Sequence, residues 1–181
     1  MQAPRPAGDS GTPLAGKSRI KEGTRVPVLP GSVSFAAVHA DDAEALVALR
    51  IEAMRESLER IGRFDPARAR ERFLSGFAPA FTHHILQAGV RAGFMVVKPQ
   101  ADGLLLDHLY VLARFQRQGI GAASLAHVFG RADASGLPLR VGALRGSDAN
   151  RFYLRHGFLL VEQGEFDNYY LRASRRLVRP Q

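Results

Sequence analysis

The 181-residue sequence contains no cysteine and no tryptophan. The absence of cysteine excludes disulfides, thiolate metal clusters and a cysteine nucleophile. No run of eighteen apolar residues is present, so the sequence predicts no membrane span, and its first residues lack the apolar core of a secretory signal peptide. Apolar residues make up 46% of the chain, which is enough to bury a core. We therefore expect a single folded domain in the cytoplasm.

Acidic residues are scarce relative to basic ones, which gives a formal net charge of +8. Residues 1–31 have a net charge of +3 and residues 172–181 one of +4, so the middle of the chain is nearly neutral. A nucleic-acid-binding domain usually carries its basic charge on the folded body, and this distribution argues against one. We predict a disordered basic leader over 1–31, a folded domain over 32–174 and a basic tail over 175–181.

Hydrophobic periodicity predicts alternating strands and helices between residues 32 and 172. Strands are expected at 32–39, 82–87, 92–98, 104–111, 137–143, 158–162 and 169–172. Helices are expected at 41–61, 65–74 and 148–155, with another between Ala122 and Gly136. Neighbouring strands in the first half favour antiparallel pairing, whereas the strand–helix–strand unit from Leu104 to Ala143 favours a parallel crossover. The predicted class is mixed α/β, with a single central, mostly antiparallel sheet flanked by helices.

A glycine-rich loop, Gln116-Arg117-Gln118-Gly119-Ile120-Gly121-Ala122, lies between a predicted strand and a predicted helix. The first amides of a helix have no partner within it, and glycines let a ligand approach the backbone closely. Such a helix start binds phosphate readily. Arg114 and Arg117 add positive charge, and Leu112–Arg155 has a net charge of +5. Ser124 stands where a dinucleotide fingerprint has its third glycine, and no Lys-Ser/Thr pair makes this a P-loop. The alternative role of these glycines is tight packing.

A second motif follows at Ser147–Phe158, with the sequence SDANRFYLRHGF. The glycine loop after an apolar strand resembles the acetyl-CoA loop of the GNAT superfamily of N-acetyltransferases, and this segment is similar to the family's Asn-x-Ala-…-Phe-Tyr-x-x-x-Gly-Phe segment. The resemblance covers about residues 33–172. It implies a GNAT-like acyl-CoA acyltransferase fold, in which a bulge splays the Leu104–Val111 strand from the Leu137–Ala143 strand. It also implies acetyl-CoA as co-substrate, with no metal.

The resemblance also assigns residues to the cofactor. Pantetheine is expected to pair with the backbone around Leu109, Tyr110 and Val111, and the pyrophosphate with the amides of Gln118 to Ala122. The whole cofactor-binding loop comprises Gln116, Arg117, Gln118, Gly119, Ile120, Gly121 and Ala122. Ser147 stands where many members of the family have asparagine. Asn150 either substitutes for that asparagine or is a polar residue on the helix surface.

The resemblance implies direct attack of an amine on the thioester, with Tyr153 as the acid that protonates the leaving thiolate. A tyrosine with a pKa near 10 is protonated at neutral pH. Asp107 is a candidate base, directly or through water, and the alternative is a carboxylate held in a salt bridge. Strand alternation places Asp107 on the face of Leu105 and Leu109, with His108 opposite as a packing residue.

The acceptor pocket is expected in residues 50–80. Glu52, Glu56 and Glu59 either attract a cationic amine or form helical ion pairs with Arg60 and Arg63. Adjacent His83 and His84 face opposite sides of a strand, so they do not chelate one metal ion. The predicted partner is a small-molecule or peptide amine, with no membrane and no nucleic acid, and a homodimer is left open. The other function that fits is a non-catalytic acetyl-CoA-sensing module of the same fold.

Overall fold

The computed structural model describes residues 32–60 and 62–175, so the predicted leader 1–31 and residues 176–181 of the predicted tail lie outside it. The chain forms seven strands and four helices in the described part. The strands are β1 (Val33–Ala37), β2 (Thr82–Gln87), β3 (Val90–Gln100), β4 (Gly103–Val111), β5 (Leu139–Leu144), β6 (Leu159–Gln163) and β7 (Asp167–Arg172). The helices are α1 (Ala43–Arg60), α2 (Pro66–Ser75), α3 (Ile120–Ser135) and α4 (Asp148–Arg155).

All seven strands form one sheet in the order β1-β2-β3-β4-β5-β7-β6. The pairs β1–β2, β2–β3, β3–β4, β5–β7 and β6–β7 are antiparallel. Among the strands of residues 32–60 and 62–175, only β4 and β5, which α3 connects, pair in parallel, because a crossover helix returns the chain to the same end of the sheet. The predicted mixed sheet, its mostly antiparallel pairing and its one crossover are confirmed.

The helices begin and end at residues whose chemistry suits those positions. Asp65 caps α2 by accepting a hydrogen bond from the amide of Arg68 at 3.0 Å, and Pro66 follows at the first helical position, where its missing N–H is not needed. Gly136 ends α3 with a φ of 67°, a left-handed conformation that glycine adopts without steric cost. These local features are why α2 and the end of α3 were predictable from sequence.

The strand pair β4–β5 is joined over only three residues. Leu104–Leu106 pair with Leu139–Val141, and the pairing ends there. On the other side of β4, Val96 of β3 is opposite His108 whereas Val97 is opposite Leu106, so Asp107 has no partner on β3. An unpaired extra residue of this kind bends its strand and increases the twist. The predicted bulge and splayed strand pair are confirmed, and both occur at Asp107.

Two hydrophobic clusters cover the two faces of the sheet. One cluster lies under α3 and α4 and contains Leu106, Ile120, Leu125, Val141, Tyr153 and Phe158, among others. The other lies under α1 and α2 and contains Leu46, Phe73, Phe94 and Val96. These two clusters thus hold the helices on both faces against the sheet. None of the described helices has the length and apolarity needed to cross a bilayer.

The start of α1 predicts a pH-dependent contribution to stability. The Asp42 carboxylate accepts a hydrogen bond from the His39 amide at 3.0 Å and lies 3.1 Å from His84 Nε2. These contacts, the amide first, lower the pKa of Asp42 from 3.8 to about 2. Because the folded-state pKa is the lower one, the contribution is present above pH 4 and is lost as the pH falls toward 2.

We expect Asp42→Ala to cost on the order of 1 kcal/mol in unfolding free energy at pH 5, allowing for solvent screening. The cost should become much smaller near pH 2.5. Urea unfolding at both pH values measures it, with exposed Asp41→Ala as the matched control. A cost for Asp42→Ala that is the same at both pH values would contradict the assignment.

Candidate active site

A cavity of about 290 Å³ occupies the gap where β4 and β5 separate. Its walls come from four parts of the chain, which are the second half of α1, β4 from Leu106 to Val111, β5 with the turn that follows it, and the start of α4 with Tyr153. Its volume is close to the lower end of the range usual for small-molecule sites. The cavity exists because the bulge at Asp107 turns β4 away from β5 and leaves one edge of each strand without a strand partner beyond Leu106 and Val141.

Seven of the fourteen residues predicted for the site line this cavity. They are Asp107, Leu109, Tyr110, Val111, Gln116, Ser147 and Tyr153. The loop residues Arg117, Gln118, Gly119, Ile120, Gly121 and Ala122 lie outside its lining, next to Gln116 at the start of α3. Asn150 lies behind the wall that Ser147 forms. The structure therefore brings Gln116 of the first motif together with Ser147 and Tyr153 of the second around one opening.

Tyr153 lies on α4 among aromatic rings and is buried. Its ring centroid is 5.4 Å from those of Phe152 and Phe158 and 6.1 Å from that of Tyr170. Burial, and to a smaller extent Tyr110, raises the pKa of Tyr153 above its usual value, so the hydroxyl is protonated at neutral pH. No hydrogen bond joins this hydroxyl to another residue of 32–60 or 62–175, and the side chain borders the cavity.

Asp107 and His108 lie on the same side of the sheet. Asp107 Oδ2 accepts a hydrogen bond from Lys98 Nζ at 2.7 Å, and the His108 ring packs 5.6 Å from that of Phe73 on α2. Leu109 packs on the opposite side, in the cluster under α3. The prediction that Asp107 shares a face with Leu109, with His108 opposite, was wrong. The extra residue at the bulge interrupts the two-residue alternation of the strand.

His108 is a packing residue, as the sequence favoured. Its ring is also 6.1 Å from Phe94 and 5.5 Å from Tyr110. Burial lowers the pKa of His108 to about 4, despite the opposing effect of the Asp107 carboxylate. An imidazole with this pKa is neutral at pH 7 and accepts a proton poorly. The sequence left two roles open for Asp107, a base or a carboxylate held in a salt bridge. The ion pair with Lys98 is such a salt bridge.

The glycines of the loop have two different functions. Gly119 has a φ of 79° and no atom within 4 Å of where a Cβ would lie, so its backbone is open to solvent and to a ligand. A Cβ on Gly121 would lie 3.1 Å from Cζ of Phe152, so this glycine allows α3 and α4 to pack closely. Arg117 also has a positive φ, of 60°, which is uncommon for a residue other than glycine.

The first turn of α3 presents backbone amides. The first intrahelical hydrogen bond to Gly119 comes from the amide of Ala123, at 2.9 Å. The amides of Ile120, Gly121 and Ala122 therefore have no acceptor within the helix. The side chain of Ile120 is buried, so only its backbone faces outward. The exposed side chains of Arg117 and Gln118 flank these amides.

Gln116 closes the end of β4. Its Nε2 donates a hydrogen bond to the carbonyl of Val111 at 2.9 Å, and the side chain borders the cavity. The carbonyl of Val111, expected to pair with a cofactor amide, thus already has one partner in the protein. A carbonyl oxygen has a second lone pair that remains available.

Ser147 and Asn150 form a brace at the end of β5. Asn150 Nδ2 donates to the carbonyls of Leu144 and Ser147, both at 2.8 Å, and Oδ1 accepts from Asn168 and from the Tyr170 hydroxyl, both at 2.8 Å. Ser147 Oγ donates to the carbonyl of Leu144 at 2.7 Å. Asn150 is therefore a part-buried structural residue, neither on the helix surface nor free to bind a cofactor. Ser147 alone of the two reaches the cavity.

The glutamates of α1 all have arginine partners. Glu56 lies 2.9 Å from Arg60 and Glu59 lies 3.3 Å from Arg55, while Glu52 is 3.9 Å from Arg114. The helical pairing predicted for Glu56 with Arg60 is confirmed. Arg63 does not pair with Glu59. Its guanidinium carbon lies 3.6 Å from the ring centroid of Phe166 in the turn between β6 and β7.

The adjacent histidines of β2 point to opposite faces, as predicted. His84 contacts Asp42 at the start of α1, whereas the pKa of His83 is lowered by burial and by Arg131 and His127 of α3. In the described part of the chain, no three His, Asp or Glu side chains are grouped as metal ligands.

The sequence predicted a pocket within residues 50–80 and a gap beside β5, and the cavity is lined by the second half of α1 and by β5, with no residue of α2. The additional lining residues are Ala53, Met54, Glu56, Ser57 and Arg60 of α1, with Val141–Leu144 and Asp148. The spacing of the α1 lining residues is that of any amphipathic helix, so it does not mark them as part of a cavity. Their role becomes visible only when the sheet opens beneath them.

The architecture defines the fold of the described residues. A single mixed sheet, opened between its only parallel pair with a glycine-rich helix start at the mouth, is the fold of the GNAT acetyltransferases. PaiA N-acetyltransferase from Thermoplasma acidophilum, solved in complex with coenzyme A, aligns with a TM-score of 0.65 at 15% identity and covers 78% of this chain and 99% of its own. Ard1 from Thermoplasma volcanium gives 0.60 at 18% identity, covering 80% and 99%.

A third structure, the ribosomal-protein-S18-alanine N-acetyltransferase from Escherichia coli, aligns with a TM-score of 0.59 at 18% identity over 83% of this chain and 99% of its own. No curated protein sequence matches the chain. Residues 80–159 match the family model of the acetyltransferase (GNAT) domain. The matched stretch contains both sequence motifs, and the resemblance to the GNAT acetyltransferases that they indicated is confirmed for this part of the chain.

Proposed function

We propose that the protein is an acetyl-CoA-dependent N-acetyltransferase that acts on a primary amine in a ternary complex. The observation that carries this proposal is the opening between β4 and β5 beyond Leu106, which is bordered by Gln116 and by the buried Tyr153. The coenzyme A in the PaiA structure of the same fold supports it. A sensing module would also need the opening, but it would not need a protonated tyrosine at its inner end.

The residues at the mouth fit the charged end of an acyl-CoA. The outward amides of Ile120, Gly121 and Ala122 provide hydrogen-bond donors and the positive end of the helix dipole. Arg117 adds a fixed positive charge. The exposed backbone of Gly119 leaves room for a phosphate to approach. We assign the pyrophosphate to this loop and the pantetheine to the unpaired edge of β4 around Leu109, Tyr110 and Val111, next to Gln116 and Ser147.

The reaction then proceeds by direct attack. The amine nitrogen bonds to the thioester carbonyl carbon, the carbon–sulfur bond breaks, and the leaving thiolate takes the proton of the Tyr153 hydroxyl. Burial raises the pKa of Tyr153, so donation must accompany carbon–sulfur cleavage, when the sulfur is most basic. Asp107 Oδ2 already accepts a hydrogen bond from Lys98 Nζ at 2.7 Å. We therefore assign the amine's proton to a water that Asp107 holds at the inner end of the cavity.

Calorimetry with acetyl-CoA tests the proposal. We expect saturable binding to the wild-type chain, and a dissociation constant raised about ten-fold in Arg117→Glu, because the substitution replaces attraction to phosphate by repulsion. Arg155→Glu near the end of α4 is the matched control, and it should bind like the wild type. A folded wild-type protein with no heat of binding at millimolar acetyl-CoA would sink the proposal.

A further inference from the structure

A smaller cavity of about 50 Å³ adjoins the main one where α1 faces the turn between β5 and α4. Its polar lining consists of Arg60, Arg145, Ser57 and Ser147, and we call this smaller cavity the arginine annex. All of them except Arg145 also border the main cavity, so the two spaces are continuous. The annex exceeds the volume that one water occupies, and its lining is that of a site for a small anion.

Arg145 is held in place by uncharged groups. Its amide donates to the carbonyl of Phe166 at 2.8 Å, and its Nη1 donates to the carbonyl of Gly164 at 3.3 Å. Within residues 32–60 and 62–175, no carboxylate oxygen lies within 4.0 Å of the Arg145 side chain. A guanidinium has five N–H donors, so Arg145 keeps most of its donors for a ligand.

Charge around the annex is positive. Arg60 is paired with Glu56, but both side chains are more than half exposed, and such a pair is weak. The other carboxylates that border the main cavity, Asp107 and Asp148, lie 2.7 Å from Lys98 and 2.5 Å from Arg151. Arg63 lies over the ring of Phe166, and the carbonyl of Phe166 accepts the hydrogen bond from the Arg145 amide, so a further cation is nearby. A ligand with several positive charges would be repelled here.

On the basis of the proposed function, we propose that the acceptor is an amine that carries a carboxylate, as a free amino acid does. Its amine lies in the opening between β4 and β5, and its carboxylate occupies the arginine annex. A guanidinium matches the two oxygens of a carboxylate in geometry and charge. An anion there also relieves the repulsion between Arg60 and Arg145. Of the glutamates of α1, Glu56 borders the main cavity beside its partner Arg60, whereas Glu52 and Glu59 lie outside the lining of both cavities.

The phosphates of the co-substrate are another source of an anion, and the experiment separates the two sources. Purified protein with acetyl-CoA is assayed for thiol release with the twenty amino acids, their C-terminal amides, and spermidine. We expect kcat/KM at least ten-fold higher for an accepted amino acid than for its amide, with no turnover of spermidine. Arg145→Ala should reduce that preference to about two-fold or less, and Arg145→Lys should retain part of it.

Arg155→Ala is the matched control, and it should keep the wild-type preference. Acetyl-CoA affinity is measured by calorimetry for every variant, and it should change less than about two-fold in Arg145→Ala. An equal or greater rate with the amides or spermidine overturns the inference, as does an acetyl-CoA affinity that falls ten-fold in Arg145→Ala. Absence of turnover with every amino acid also overturns it, provided that the protein binds acetyl-CoA. Absence of acetyl-CoA binding instead removes the proposed function itself.

Discussion

Tyr153→Phe should lower kcat by about 100-fold, a typical loss when a general acid is removed, while acetyl-CoA affinity stays within about two-fold. The substitution removes one hydroxyl and keeps the ring that packs against Phe152, Phe158 and Tyr170. Because that hydroxyl has no protein partner in the described part of the chain, its loss leaves no buried group unsatisfied. Initial rates of thiol release and calorimetry on the same preparation measure the two quantities.

Two features make this result specific to acid catalysis. Tyr169→Phe removes a hydroxyl from a partly exposed tyrosine, and it should leave kcat unchanged. Burial raises the pKa of Tyr153 above its usual value, so the wild-type kcat should show no loss from ionisation of this group up to about pH 10. If Tyr153→Phe turned over at the wild-type rate, the tyrosine would be a packing residue and the protonation step would need another donor.

Gly93→Ala should have the largest effect on stability. A Cβ at this position of β3 would lie 2.0 Å from the carbonyl oxygen of Tyr110 and 3.1 Å from the Cα of Val111. Both neighbours are backbone atoms of β4, so the clash can be relieved only by moving one strand away from the other. We expect a loss of about 3 kcal/mol or more in unfolding free energy, measured by urea denaturation.

The same substitution should also weaken acetyl-CoA binding, because Tyr110 and Val111 form a wall of the cavity. Gly130→Ala on α3 is the matched control. No atom lies within 4 Å of the new methyl group there, and alanine should raise the unfolding free energy by roughly 0.5–1 kcal/mol. Equal urea-unfolding midpoints for Gly93→Ala and the wild type would show that β3 and β4 are further apart at this point than the structure places them.

Local chemistry made most of the fold predictable. Helix α4 and strand β2 have the predicted bounds, because Asp148 and Gly157 flank one and turn residues flank the other. The strand ends that differ, such as Val90 rather than Ala92 for β3, extend through exposed turn residues whose patterns are weak. The crossover between β4 and β5 followed from the strand–helix–strand order.

The site was predictable in part. The two motifs pointed to the loop and to Tyr153, and the structure places Gln116 of the loop and Tyr153 on the lining of one cavity. The directions of Asp107 and His108 depended on which residue lacks a partner on β3, and that register is set by tertiary pairing. The Asn150 side chain forms hydrogen bonds with residues of both β5 and β7. The sequence did not indicate this because the two strands are distant in sequence. The pairing of Glu59 with Arg55 rather than Arg63 depended on the neighbouring turn, which places Phe166 beside Arg63.

The unpaired residue of β4 has a further consequence for how the protein can vary. Were Asp107 deleted, Leu106 and His108 would become neighbours in a regular ladder, and hydrogen bonding between β4 and β5 could continue past Val141. A continuous sheet would leave no gap between β4 and β5 for a ligand. The capacity of this chain to admit a substrate therefore rests on a length difference of a single amino acid between two adjacent strands.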